Sequence, residues 1–230
     1  MNTLNICAIS DLHGYLPDNI RNSDLLVIAG DVVPLDIQTN MQASKEWFAT
    51  VFNNWVDNLP VKDVIMIAGN HDFALERNVI TSEEGISEIT SVLTSKCCYL
   101  KDEIIEYEGK HIYGTPWCHL FGRWAFMTSD NSLEIIFKKI PENLDLLITH
   151  DAPYGCTDIC LQDVSWNKHE HIGSKPLREA ILEKNPLKVV HGHLHSTSHD
   201  WDTLGNSLVR NVSLVDEHYK PVYDPTYFTI

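Results

Sequence analysis

Five short polar clusters carry the residue types that bind metal ions or move protons, and each one closes an apolar run of strand length. They are Asp11-x-His13 after "LNICAIS", Gly30-Asp31 after "DLLVIA", Gly69-Asn70-His71-Asp72 after "VKDVIMIA", His150 after "DLLIT" and Gly192-His193-x-His195 after "KVVH". Mixed imidazole, carboxylate and amide ligands suit Mn, Fe, Zn, Co or Ni, whereas Mg and Ca favour all-oxygen shells. The same side chains serve as general acids and bases. Taken singly each cluster is weak, because Gly-Asp after a strand is ordinarily a turn. Together, at five strand ends, they form a joint signal.

The last cluster poses the sharpest question. His191, His193 and His195 alternate, with His199 close behind. Alternating residues of an extended chain face one way, so the simplest reading is one ion held by all three.

The elements that must position these residues follow β-α-β grammar. The first three apolar runs are rich in Ile and Val and end in Gly or Asp. Between the second and third, Trp47, Phe48, Val51, Phe52, Trp55, Val56 and Leu59 trace the stripe of an amphipathic helix. Such grammar implies parallel strands buried on both faces, and ligands then bind beyond their carboxyl ends, where all the polar clusters lie.

Further on, "SEEGISEITSVLTS" reads as a helix and "CCYLKDEIIEYEGKHIYGTPW" as two or three strands turning at Glu108-Gly109-Lys110. "SKPLREAILEKN" reads as a helix with Pro176 in its first turn. "WDTLGNSLVRNVS" reads as a hairpin around Leu204-Gly205-Asn206, and "YKPVYDPTYFTI" as an extended tail packed on the body. No repeat, low-complexity segment or linker interrupts the chain, so residues 1–230 are expected to form a single domain.

Composition narrows the function classes. The 230 residues are 43% hydrophobic and 21% charged, ordinary values for a globular protein. A formal net charge of −15 disfavours polymeric nucleic acid, while a local metal site still admits small anions. No apolar run reaches the roughly 18 residues that span a bilayer. The first residues, "MNTLNICAIS", do not read as a secretory signal, so a cytoplasmic location and no membrane partner are expected. The six cysteines form no C-x-x-C pair and are expected to be reduced fillers. The sequon at Asn211 is discounted for the same reason of location.

The ordered blocks D-x-H, G-D, G-N-H-D, H and G-H-x-H resemble the calcineurin-like metallophosphoesterase family, from Asp11 to His195. "GTPWCHLFGRWAFM", "THDAPYGCTD", "GSKPLREAI" and "NVSLVDEHYKPV" are similar to the small metallophosphoesterase-domain-containing subgroup. The resemblance implies a four-layer αββα sandwich, two mixed β-sheets flanked by helices. It also implies two divalent metal ions, Mn first among Mn, Fe, Zn, Co and Ni. Asp11, His13 and His195 would hold one ion, Asn70, His150 and His193 the other, and Asp31 would bridge them. A carboxylate can present two oxygens to ions about 3.5–4 Å apart, which an imidazole cannot. His191 is then structural, and Gly192 is expected to provide the turn that sends His193 and His195 to different ions.

The implied reaction is attack of a metal-bridging hydroxide on a small phosphate ester, a phosphodiester first and cyclic nucleotides among the candidates. His71 would protonate the leaving group or contact phosphate, with Asp72 either orienting it or starting a helix. A phosphomonoesterase acting on nucleotides or sugar phosphates is the alternative, and a non-catalytic metal-binding scaffold is a weaker one. Pro34 stands where protein phosphatases of the superfamily carry a second Asp, with no Arg following, and no nuclease-type capping domain is present. Asp151 and Ala152 also depart from the subgroup. Trp117, Phe121 and Trp124 could stack on a nucleobase or simply pack the loop. His119, His169 and His171 read as surface or loop residues. Arg123 and Arg178 could meet a phosphate, Arg178 more simply as an exposed helix position. Oligomeric state is left open.

Overall fold

Alternation along the central strands sends apolar side chains to two different cores, and this sets the layering. In the computed structural model, which describes residues 3–82, 85–159 and 170–230 (79–82 and 85–87 by backbone alone), the strands and helices run as follows. The first half contains β1 (Asn5–Ile9), β2 (Ser23–Ala29), α1 (Met41–Trp47), α2 (Asn53–Asn58), β3 (Val61–Ile67), α3 (Phe73–Arg77), β4 (Val79–Ser82), β5 (Gly85–Glu88) and β6 (Cys97–Tyr99). Then come β7 (Glu103–Tyr107), β8 (Lys110–Thr115), β9 (Cys118–His119), β10 (Met127–Thr128), α4 (Asp130–Phe137), β11 (Leu146–Thr149) and α5 (Lys175–Lys184). The chain ends with β12 (Lys188–His191), β13 (Asp202–Leu204), β14 (Ser207–Asn211) and β15 (Thr226–Thr229).

One large sheet has the order β15-β1-β2-β3-β6 and the other β13-β14-β12-β11-β8-β7. Their inner strands are parallel, and β15, β13 and β7 add antiparallel edges. Ile6, Ala8, Leu25, Val27, Ile65 and Ile67 of the first sheet meet Ile112, Leu146, Ile148 and Val190 of the second. The alternate residues Cys7, Ile9, Leu26, Ile28, Val64 and Met66 instead pack under Phe48, Phe52 and Val56. On the far side, Leu147 and Val189 pack under Leu133 and Phe137 of α4 and Leu177 and Ile181 of α5. The order of layers is therefore helix, sheet, sheet, helix, as the resemblance implies. At about 25 cal/mol per Å² of apolar surface removed from water, three such interlayer cores dominate the stabilisation.

The amphipathic stripe is one helical stretch from Met41 to Asn58, with a π turn at Phe48–Phe52 joining α1 and α2. The Asn40 side chain caps it by accepting from the Ala43 N–H. Val51 is 49% exposed, so the buried face narrows to Phe48, Phe52 and Val56 where the wider turn rotates the helix.

The segment expected as a helix from Ser82 onward is different. It contains β5, which pairs antiparallel with β4 just before it, and a 3-10 turn at Ile89–Val92. β-Branched residues and a mid-segment Gly85 disfavour helix and suit a hairpin. The tail is more ordered than expected, since β15 pairs antiparallel with β1 and covers an edge of the first sheet. Among the described residues, no helix is long and apolar enough to cross a membrane.

Candidate metal centre

The parallel strands β1, β2, β3, β11 and β12 deliver all the polar clusters to one place. Asp11, His13, Asp31 and His193 have φ of 56°, 43°, 54° and 68°, the left-handed region that non-glycine residues seldom enter. Strain of this kind collects at functional sites, where neighbouring structure enforces it. The enforcing bonds are visible. Asp11 N–H donates to the Gly30 carbonyl, His13 N–H to the Asp31 carbonyl, and His193 N–H to both carboxylate oxygens of Asp11 at 3.1 Å.

The turn after β12 corrects an expectation. His193, not Gly192, takes the positive φ, at the apex of a turn closed by Leu194 N–H on the Gly192 carbonyl. Gly192 is required for another reason: a Cβ there would collide with Ser10 Oγ and Asp11 Oδ2. Asn211 braces the loop, donating from Nδ2 to the Leu194 carbonyl at 2.6 Å and to Thr197 Oγ1 at 2.8 Å.

Donor atoms gather into compact sets. Asp11, His13 and His195 form one, and Asp11, Asp31 and His150 another, each with ligand atoms within 4.8 Å of one another. Asp31 divides its oxygens: Oδ2 lies 3.6 Å from His13 Nε2, and Oδ1 lies 3.3 Å from His150 Nε2. His150 Nε2 is also 3.0 Å from Asn70 Oδ1. His195 Nε2 is 3.3 Å from Asp11 Oδ1. Behind them, His150 Nδ1 donates to the Ala29 carbonyl at 2.8 Å and His195 Nδ1 to the Asp216 carbonyl at 3.1 Å. Each bond occupies Nδ1 and turns Nε2 to the centre, where an ion would have to displace the proton that Asp31 and Asp11 stabilise on these rings.

The electrostatics suit cations. Burial alone would raise the carboxyls of Asp11 and Asp31, yet the imidazoles of His195 and His150 hold both well below the ordinary range. Burial opposes charge on His150, but Asp31 pushes its pKa up to about 10. Burial lowers His13 to about 4 and His193 to about 3, so both stay neutral. The two ring nitrogens of His13 are buried with no hydrogen-bond partner. An orphaned imidazole beside two carboxylates costs free energy unless a ligand satisfies it. The residues therefore fit divalent cations.

His71 sits at the rim, its N–H donating to Asp31 Oδ1 at 2.7 Å. Its Nδ1 meets Gln38 Oε1 at 2.7 Å, while Gln38 Nε2 donates to the Leu35 carbonyl at 2.9 Å. Gln38, which no sequence motif marked, is thus the residue that orients His71. Asp72 starts α3, its carbonyl accepting from the Leu75 and Glu76 N–H groups, but its side chain neither orients His71 nor caps the helix. Its buried carboxylate instead accepts from the N–H groups of Val32, Val33 and Gly69, tying the second and third clusters together.

The remaining candidates separate cleanly. His191 is buried, with Nδ1 on the Gly192 carbonyl at 3.0 Å and Nε2 on Thr157 Oγ1 at 2.7 Å, a structural role. Asp151 is fully buried and accepts from His119 N–H and Nδ1 at 2.9 and 2.8 Å. His119 is accordingly no free loop histidine, and its ring lies 6.4 Å from that of His193. His171 pairs with Asp158 at 2.6 Å, and His169 lies outside the described residues.

Trp117 is a packing residue, with Nε1 donating to Asp102 at 2.8 Å. Phe121 and Trp124 are 53% and 39% exposed and flank the centre, one against His193 and one against His71, with ring separations of 5.2 and 4.5 Å. Tyr219 adds an edge contact to His13 at 4.8 Å. Arg178 is half-buried and donates to the Tyr154 carbonyl at 2.8 Å, so it is not an exposed helix position, and Arg123 is exposed. Cys118, fully buried, was also missed as a neighbour of the site: its Sγ groups with His150 and His193.

The sequence profile of calcineurin-like phosphoesterases matches residues 4–217. A UPF0046 protein of Caenorhabditis elegans is 31% identical, an alignment covering 100% of this chain and 82% of the relative. Human metallophosphoesterase domain-containing protein 1 is 28% identical, over 95% of this chain and 68% of its own length. Among solved structures, TT1561 of Thermus thermophilus superposes with a TM-score of 0.57 at 15% identity, over 91% of this chain and 89% of that one. Phosphopantetheinyl hydrolase of Mycobacterium tuberculosis gives 0.53 at 13%, over 94% and 90%. At such identities the likeness is one of fold.

Proposed function

Because the chain belongs to the calcineurin-like phosphoesterase family, we propose that it hydrolyses a small phosphodiester at a centre of two divalent ions. The observation that carries this reading is Asp31, whose two oxygens face two different ligand sets. Asp11, His13 and His195 would hold one ion, Asn70, His150 and His193 the other, and Asp31 would contribute to both. The ions come from the Mn, Fe, Zn, Co, Ni series, with Mn the first to test. When bound, such a pair makes a hydroxide nucleophile available near neutral pH and offsets charge on the phosphoryl oxygens.

The chain's own residues do the rest. Gln38 accepts the Nδ1–H of His71, so the ring gives a proton from Nε2 to the departing alkoxide as the imidazolium, a form that burial opposes and the Asp31 carboxylate favours. Trp124 against one ring and Phe121 against another restrict the approach to a substrate with a planar or apolar group. Cyclic nucleotides meet that description.

The test is direct. With Mn loaded, kcat/KM for bis-p-nitrophenyl phosphate should exceed that for p-nitrophenyl phosphate. The reverse order replaces the diesterase reading with a monoesterase, and no turnover of either favours a binding scaffold.

A further inference from the structure

Cys118 places a sulfur where a phosphoesterase centre of this type needs only nitrogen and oxygen. Its Sγ and one ring nitrogen each of His150 and His193 all lie within 4.8 Å of one another. The residue opens the two-residue strand β9, directly after Trp117, and is fully buried. Its thiol makes a long polar contact, 3.8 Å to the Pro116 carbonyl. Asn70 Oδ1 approaches the same His150 ring at 3.0 Å from Nε2. By contrast, the set of Asp11, His13 and His195 holds only oxygen and nitrogen.

We propose that Cys118 is a ligand of the ion held by Asn70, His150 and His193, so that the two metal positions are chemically unequal. The inference rests on the two-ion reading above. On binding, the S–H bond breaks, the proton leaves to solvent and a sulfur–metal bond forms. A thiolate beside two imidazoles selects Zn, Co or Fe(II) over Mn or Mg, because softer ions bind sulfur more strongly. The oxygen-rich position keeps no such preference. The chain thereby loads two different metals, one chosen by Cys118.

Cobalt(II) reports sulfur ligation without any need for catalysis. The wild-type chain loaded with cobalt should show the near-ultraviolet sulfur-to-cobalt charge-transfer absorption. Cys118→Ser should lose that absorption while keeping the visible d–d bands, and Cys156→Ser should keep both. Should Cys118→Ser fail to fold, X-ray absorption of the zinc-loaded wild type decides, expected to give a Zn–S distance of about 2.3 Å. A cobalt-loaded wild type without the absorption, its survival in Cys118→Ser, or a shell of nitrogen and oxygen alone overturns the proposal. Ester hydrolysis with no sulfur signal sinks Cys118 alone. A sulfur signal with no hydrolysis of either ester sinks the enzymatic reading alone.

Discussion

Gln38 Oε1 lies 2.7 Å from Nδ1 of His71, and the Gln38 amide is itself held by the Leu35 carbonyl. An amide oxygen can only accept, so one proton is fixed on Nδ1 and Nε2, which carries the second proton of the imidazolium, faces the reaction. Gln38→Leu should keep both metals and lower kcat by about 10–100-fold, part of the roughly 10²–10⁴ that general acids supply. The loss should be larger for an alkyl leaving group than for p-nitrophenolate, which departs with little protonation. Steady-state kinetics on the two esters checks this, and equal losses would remove His71 as the proton donor.

Asp72 is a brace. Its carboxylate satisfies three buried backbone N–H groups, and leaving them unpaired costs roughly 1–3 kcal/mol each. Asp72→Ala should therefore lose about 3–9 kcal/mol of stability, read as a lower urea midpoint at unchanged slope. A variant of normal stability but without turnover would return Asp72 to the catalytic machinery.

His191 makes stability depend on acid. Burial lowers its pKa to about 4, against an ordinary value of about 6.5. The folded state excludes a proton that the unfolded chain accepts, so the stabilisation is complete above about pH 6.5 and is lost as pH falls toward 4. At pH 5 the loss is about 2 kcal/mol, from 1.36 kcal/mol per pKa unit. Melting curves of the metal-free chain between pH 7.5 and 5 should fall more steeply for wild type than for His191→Gln. Parallel curves would contradict the assignment.

Much of the architecture was legible because parallel strands need long Ile- and Val-rich runs, and their polar ends are conspicuous. The seven candidate ligands lie at five of those ends, and the family resemblance is what assigned them to two ions. Less legible were the groups brought in by side-chain packing from elements with no local signal. Gln38 sits in a loop before α1, and Cys118 and His119 lie on a two-residue strand. The turn at His193 was misread because glycine is the usual owner of positive φ. Here the hydrogen bonds from His193 N–H to Asp11 impose it on the neighbour instead. The segment holding β5 was read as a helix because Glu and Ser favoured that period over a weak β pattern.

The central claim is that Asp31 joins two ions through its two oxygens, and metal counting on Asp31→Asn tests it most directly. Wild-type chain loaded with Co, which suits both positions, and freed of excess should hold two ions per chain. Asp31→Asn should hold one or none, with kcat/KM reduced by at least about 100-fold. Two tightly held ions with full turnover in Asp31→Asn would contradict the bridge.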